Sequence, residues 1–163
     1  MHHTTLYNSP FGCFELQASA KGLTGVRRMS DTACAKTSPA SGVLEKTITQ
    51  LEAYFDGQLQ AFDLPLDWGD ATAFNQAVWQ ELLRIPYGHT TTYSAIAEKL
   101  DNPKAVRAVG LANRNNPIAI IVPCHRVIAK NGDLQGYFYG LDMKRQLLEL
   151  ENPMSFARQG SLF

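Results

Sequence analysis

Cysteine is scarce: the 163-residue chain has three, at positions 13, 34 and 124. An odd number at such wide spacing is not a disulfide framework, and a reducing, cytoplasmic setting is expected. No Cys-x-x-Cys or His-x-x-x-His pair occurs. A metal site would have to be assembled from distant parts of the chain, and neither metal nor cofactor is expected. No apolar run approaches the roughly 18 residues of a membrane span, so no membrane partner is expected. The stretch "MHHTTLYNSPFG" has no basic segment leading into an apolar one, so a secretory signal is not expected either. His2 and His3 are assigned no role. No internal repeat is evident.

Net charge is also missing, with 15 Lys/Arg against 15 Asp/Glu. The balance hides an asymmetry. Residues 1–80 carry five basic against eight acidic side chains, and residues 81–163 carry ten against seven. The halves are therefore −3 and +3. A mildly basic C-terminal half is compatible with a nucleic-acid surface without requiring one. Apolar content of 45% and charged content of 18% fit an ordinary globular chain with a real core.

The first half alternates like strands from Leu6 to Met29, punctuated by "NSPFG" and "AKGLTG". Residues 30–42 read as a loop. Leu44, Ile48, Leu51 and Phe55 then recur at helical spacing, and Gly57 ends the run. A domain boundary falls near Gly69, giving an N-terminal α/β domain over residues 1–69 and a second domain over 70–163.

The second half is a series of helices. Thr72 caps one with Phe74, Val78 and Leu82 on a face, and "IPYG" breaks it. Thr92 caps the short "YSAIAEKL". In "DNPKAVRAVGLAN", Asn102 suits an N-cap and Pro103 the first helical position. Two short helices about two residues apart read as a helix-turn-helix. On the second of them Val106, Val109 and Asn113 form one stripe, with the valines facing the core. Ala105, Ala108 and Ala112 form another, with Arg107 projecting between. Two readings stay open: an ordinary short helix, or one built to approach another surface closely with one long cation reaching past it. The "KNGD" turn folds the chain back after "PCHRVIA". Asp142 caps a last helix carrying Leu147, Leu148 and Leu150, and Pro153 stops it.

"IIVPCHRV" places Cys124 beside His125. A cysteine attacks as thiolate, and its free pKa near 8.5 leaves little thiolate at neutral pH. A base, a cation or a helix N-terminus must help it. His125 is a candidate base and Glu151 a candidate acceptor to orient its ring. From the residues alone, a buried core thiol beside a surface histidine, with Glu151 solvated at a helix end, is the commoner arrangement; the residues permit an activated thiol without requiring one.

Taken together, "IPYGHTTTY", "NPKAVRAVG", "NNPI", "PCHRV" and "GYFYGLDMKRQLLELE" resemble the O6-alkylguanine-DNA alkyltransferases, in order and at family spacing over about residues 72–152. "SPFGCFELQASAKGL" and "FDLPLD" resemble the family's N-terminal half more weakly. The resemblance implies a ribonuclease H-like N-terminal domain, a small antiparallel sheet with a helix. A mainly helical, winged-helix-like domain follows it. It implies irreversible transfer of the alkyl group from O6-alkylguanine, and from O4-alkylthymine, to Cys124, one turnover per molecule. His125 matches the residue that takes the thiol proton through a water, and Glu151 the carboxylate that orients it. Asn116 matches the asparagine bracing the active-site turn. Tyr137 matches the tyrosine that donates to the leaving base. Arg107 matches the finger that fills the vacated base stack, and Tyr93 the tyrosine at the target's phosphate. Ala105, Ala108, Ala112 and Asn113 would line the DNA-facing helix. Pro123, Val127, Phe138 and Tyr139 would line the lesion pocket. The partner implied is double-stranded DNA carrying O6-alkylguanine, met in the minor groove by a monomer. No cofactor is implied, and the zinc ligands of some relatives find no match here.

One departure stands out. The family pattern "GYxGGL" is "GYFYGL" here, so Tyr139 replaces a glycine at the pocket rim. Phe138 still offers its backbone N–H to the lesion oxygen. The change argues for less room for bulky adducts, not against methyl transfer. Two other classes compete: a non-catalytic lesion sensor, which has no need of "PCHR", and a thiol hydrolase, for which no oxyanion-hole motif is present.

Overall fold

The computed structural model describes residues 2–29, 34, 41–130 and 141–153. It divides into two units. The first is Met1–Asp70 with Pro117–Ala119, and the second is Ala71–Asn116 with Ile120–Phe163.

The first unit is an antiparallel meander backed by one helix. Strands β1 (His3–Ser9), β2 (Gly12–Ala18) and β3 (Leu23–Arg28) lie in the order β1-β2-β3. Period-2 alternation puts Phe14, Leu16 and Ala18 of β2 on the buried face, all fully inaccessible. Helix α1 (Gly42–Phe55) packs against β1 and β2. Its N-terminus is capped by Ser41, whose hydroxyl accepts from the Leu44 N–H at 3.2 Å. It buries Leu44, Thr47, Leu51 and Tyr54. Phe55, expected on the inner stripe, is only half-buried; Tyr54 fills the core and Phe55 joins a ring cluster with Tyr7 and Phe11. Gly57 ends the helix at φ 75°, a conformation glycine adopts without steric cost.

The outer edge of β3 is not left open. Leu23 N–H donates to Pro65 O and Asp67 N–H to Leu23 O, both at 2.8 Å. Val26 exchanges bonds with Pro117 and Ala119, forming a parallel bridge with Ile118. Covering an edge in this way removes a template for unwanted pairing. It also fixes Gly22, where an added Cβ would lie 2.6 Å from the Pro65 carbonyl oxygen. The three nearest atoms, Pro65 O, Pro65 C and Leu66 N, are all backbone, so none yields cheaply. Gly22→Ala is expected to lower stability by about 1–3 kcal/mol, read as a lower thermal midpoint.

The cysteine expectation needs correction here. Cys13 on β2 and Cys34 form a disulfide, with Cα atoms 5.5 Å apart. A sequence separation of 21 says nothing about distance once the chain has folded back. The cysteine count therefore no longer argues for a reducing compartment. Cys124 alone is free.

The second unit holds α2 (Ala73–Leu83), α3 (Tyr93–Lys99), α4 (Val106–Arg114) and α5 (Leu141–Glu151). A two-residue parallel pair, β4 (Thr91–Thr92) with β5 (Val127–Ile128), joins the start of α3 to the chain after "PCHR". Thr72 and Thr92 cap α2 and α3 through Asn75 N–H and Ala95 N–H, each at 3.1 Å. Helix α4 packs against both α2 and α3. Its start differs from expectation. Asp101 adopts φ 56° and turns the chain, Asn102 N–H is spent on Ala97 O, and Ala105 N–H closes a turn onto Asn102 O. Asn102 is thus no N-cap; Ala105 precedes the helix without a side-chain cap. Asp142 likewise lies inside the first turn of α5 rather than capping it.

Candidate active site

Cys124 opens a single 3-10 turn, Cys124–Arg126, that follows an unusual stretch of backbone. Ile120 sits at φ 72°, a conformation that costs a β-branched residue of order 1–2 kcal/mol and persists only where its surroundings impose it. The turn is braced from inside. Asn116 Nδ2 donates to Val122 O at 2.8 Å, and Asn113 Nδ2 donates to Cys124 O at 3.3 Å. Cys124 N–H donates to Val122 O at 2.8 Å and Arg126 N–H to Pro123 O at 3.0 Å. The sulfur's residue is only 5% exposed.

Behind the turn lies a buried charge cluster. His125 and Glu151 are joined from Nε2 to Oε2 at 2.7 Å, and the histidine is fully inaccessible. Arg126 donates to the same carboxylate twice, Nε to Oε1 at 2.8 Å and Nη2 to Oε2 at 3.0 Å. Its Nη1 donates to Ile85 O at 2.8 Å, and its guanidinium lies 5.7 Å from the centre of the Tyr87 ring. Such a two-point fork fixes a carboxylate in direction as well as place.

The protonation states follow. Burial opposes ionisation of Glu151, but His125 and then Arg126 outweigh it and hold the carboxyl at about 2. Burial pushes His125 below its ordinary value despite the pull of Glu151. The ring is therefore neutral near pH 7. An ionised carboxylate only accepts, so the proton sits on Nε2 and the lone pair on Nδ1. Nδ1 is buried and has no hydrogen-bond partner among the described residues. Burial pushes the Cys124 thiol up to about 11, against the Asn116 hydrogen bond and the charge of Lys144. The resting nucleophile is a thiol, so a base must act during the reaction.

Two further residues face this cluster. Tyr93, at the start of α3, is raised to about 12 by burial and by the Cys124 charge. Lys144 on α5 is fully inaccessible and stands 6.0 Å from the centre of the Tyr93 ring. Burial lowers it to about 8, against the opposing pull of Cys124. A buried cation beside a sulfur favours its thiolate form.

The structure thus brings Cys124, His125, Glu151, Asn116 and Tyr93 together. Pro123 is buried, and Val127 is fully buried in β5, paired with Thr91. Tyr137, Phe138 and Tyr139 lie outside the described residues. The DNA-facing stripe of α4 requires correction. Ala112 and Asn113 are each 1% exposed. Ala112 O accepts from Trp79 Nε1 at 2.9 Å, and Asn113 supports the cysteine turn instead. Ala105 is half-buried, and Ala108 and Arg107 are exposed. Helical spacing defines stripes but not which stripe meets the core; α2 and α3 decide that here.

Sequence reasoning missed Arg126 and Lys144. A signal for Lys144 was present: it shares a helical stripe with Leu147, Leu148 and Glu151, all buried. Arg126 had none, since its partners lie 25 and 41 residues away.

Comparison with known proteins places this geometry. Residues 73–153 match the family model described as 6-O-methylguanine DNA methyltransferase, DNA binding domain, and residues 2–68 match its ribonuclease-like domain. The methylated-DNA–protein-cysteine methyltransferase of Mycobacterium tuberculosis is 47% identical over 154 residues, covering 93% of this chain and 92% of the relative. That of Methanosarcina acetivorans is 48% identical over 151 residues, covering 90% and 96%. The crystal structure of the M. tuberculosis O6-methylguanine methyltransferase superposes with a TM-score of 0.83 at 46% identity, covering 94% of each chain. The M. tuberculosis OGT in complex with DNA gives 0.80 at 48% identity, covering 91% of each. The chain belongs to the 6-O-methylguanine DNA methyltransferase family, with the family's N-terminal sheet domain followed by its helical DNA-binding domain.

Proposed function

We propose that this protein repairs O6-alkylguanine in DNA by moving the alkyl group onto its own Cys124, once per molecule. The observation that carries the reading is the buried relay behind the sulfur: Glu151 holds His125 by Nε2, and Nδ1 is left as an unpartnered base.

The Cys124 thiol gives its proton, through a water, to His125 Nδ1. The sulfur attacks the alkyl carbon on the side opposite O6. An S–C bond forms, the C–O bond breaks, and the electron pair stays on the guanine, which then takes up a proton. No acceptor frees the thioether, so turnover ends there. Lys144 stabilises the thiolate as it forms, and Tyr137 serves as donor to the leaving base. Moving charge within a site closed to bulk water makes fixed donors and cations worth more than they are in water.

The target base must leave the duplex to reach a sulfur this deep, at an unstacking cost of a few kcal/mol. Arg107, exposed and without a hydrogen-bond or ion-pair partner among the described residues, serves to fill the gap. Helix α4 meets the minor groove, where sequence is read poorly, which suits a protein that inspects any context. It acts as a monomer. A lesion sensor is disfavoured by the free thiol and its relay, for which mere recognition has no use.

Incubation with a duplex carrying O6-methylguanine is expected to add one methyl group to the Cys124 peptide and to leave normal guanine. Intact-mass measurement with peptide mapping reads this directly. Binding with an unmodified Cys124 would favour the sensor instead.

A further inference from the structure

The exposed face of α4 meets the alanine stripe only at Ala108. It carries Arg107, Ala108, Leu111 and Arg114, with Asn115 just past the helix end and Lys104 in the turn before it. At its centre Leu111 is 60% exposed, the more exposed of two exposed large hydrophobic side chains among the described residues. Isolated apolar residues on a surface need no explanation by themselves. This one stands four residues from Arg107 and three from Arg114, so all three share a face. None of Lys104, Arg107 and Arg114 has a hydrogen-bond or ion-pair partner among the described residues. An apolar side chain flanked on its face by Arg107 and Arg114 fits a polyanion with apolar walls. The minor groove has that character: its rims are phosphates, and its sides are the C–H faces of deoxyriboses. Proteins that use this groove often set aliphatic side chains into it.

We infer that Leu111 is a DNA-contact residue that packs on the sugar walls of the minor groove, one helical turn from Arg107. The inference rests on the reading of α4 as the groove-facing helix and adds to it. The cations bring the helix to the groove by charge. Leu111 excludes water from the floor beside Arg107 and sets how closely the helix approaches. A methyl-only surface would sit deeper but would bury less.

The test uses the full chain and an unmodified duplex, with affinity measured over a range of salt. Leu111→Ala improves helix propensity at an exposed position, so its thermal midpoint should not fall. Duplex affinity is expected to drop about tenfold, with an unchanged slope of log K against log[salt], because no phosphate contact is lost. Leu111→Met should restore most of the affinity. Arg114→Ala should instead reduce the slope by about one. Wild-type affinity in Leu111→Ala, or tighter binding, would overturn the inference; tighter binding would mean that the leucine merely holds the helix off. Should Arg107→Ala and Arg114→Ala also leave affinity and slope untouched, the groove-facing reading of α4 itself fails.

Discussion

Cys124→Ser is expected to bind damaged duplex DNA and to transfer nothing. The backbone bonds that shape the turn, Cys124 N–H to Val122 O and Asn113 Nδ2 to Cys124 O, do not involve the sulfur. A serine keeps them and nearly keeps the volume, so the fold and α4 should be unaffected. The hydroxyl, however, ionises far less readily than a thiol and is a much weaker nucleophile toward carbon. A neutral imidazole already has to remove a proton from a thiol that burial pushes up to about 11. From a hydroxyl in the same place the barrier is higher still. Removing a nucleophile that works as one unit with its base costs of order 10⁴-fold or more in rate. Single-turnover transfer of a labelled methyl group, beside a binding titration on the same duplex, measures both quantities. A variant that still becomes methylated would place the acceptor elsewhere. One that loses DNA binding as well would make Cys124 a structural residue of the interface.

Glu151→Gln should cost more in stability than any surface change in the chain. The Glu151 side chain is 1% exposed, and its carboxylate accepts from His125 once and from Arg126 twice. Neutralising it leaves the buried Arg126 guanidinium, itself 6% exposed, without a counter-charge. Breaking a buried pair from one side costs about 3–5 kcal/mol. For a domain of this size each kcal/mol moves the midpoint by about 2–4 °C, so a fall of about 10 °C is expected. The sign of the pH dependence follows from the depressed carboxyl, about 2 when folded against roughly 4.3 when unfolded. The stabilisation is complete above the unfolded value and is lost as pH falls toward 2. Wild type and Glu151→Gln should therefore differ most near neutrality and converge in acid. The same substitution frees the His125 ring to turn, and loss of positioned acid–base help should slow transfer by about 10²–10⁴-fold. Melting curves from pH 3 to pH 8 and single-turnover rates test both parts. A midpoint within about 2 °C of wild type at pH 7 would show that the pair does not hold the turn.

The two variants bear on different layers of the same device. Cys124→Ser removes the reacting atom and spares the scaffold. Glu151→Gln leaves the reacting atom and loosens what aims it. Lys144 adds a third element, a buried cation against a developing thiolate. Its charge helps a buried niche tolerate negative charge moving onto sulfur.

Much of this molecule could be read from local order. Alternation at Phe14, Leu16 and Ala18 gave β2 its buried face. Gly57 marked the end of α1, and Thr72 and Thr92 the starts of α2 and α3, because capping is decided within four residues. "PCHR" with Glu151 on a later helix identified the relay by its resemblance to a family, not by spacing. By itself, then, the sequence determined the strands and the starts of α2 and α3, and it named candidates for nucleophile, base and orienting acid. The tertiary structure alone decided which side of α4 meets water, that Arg126 joins Glu151, that Lys144 lies beneath Tyr93, and that Cys13 meets Cys34. The reason is physical: hydrogen bonds and periodicity act over a few residues, whereas burial and charge pairing depend on which distant surfaces meet.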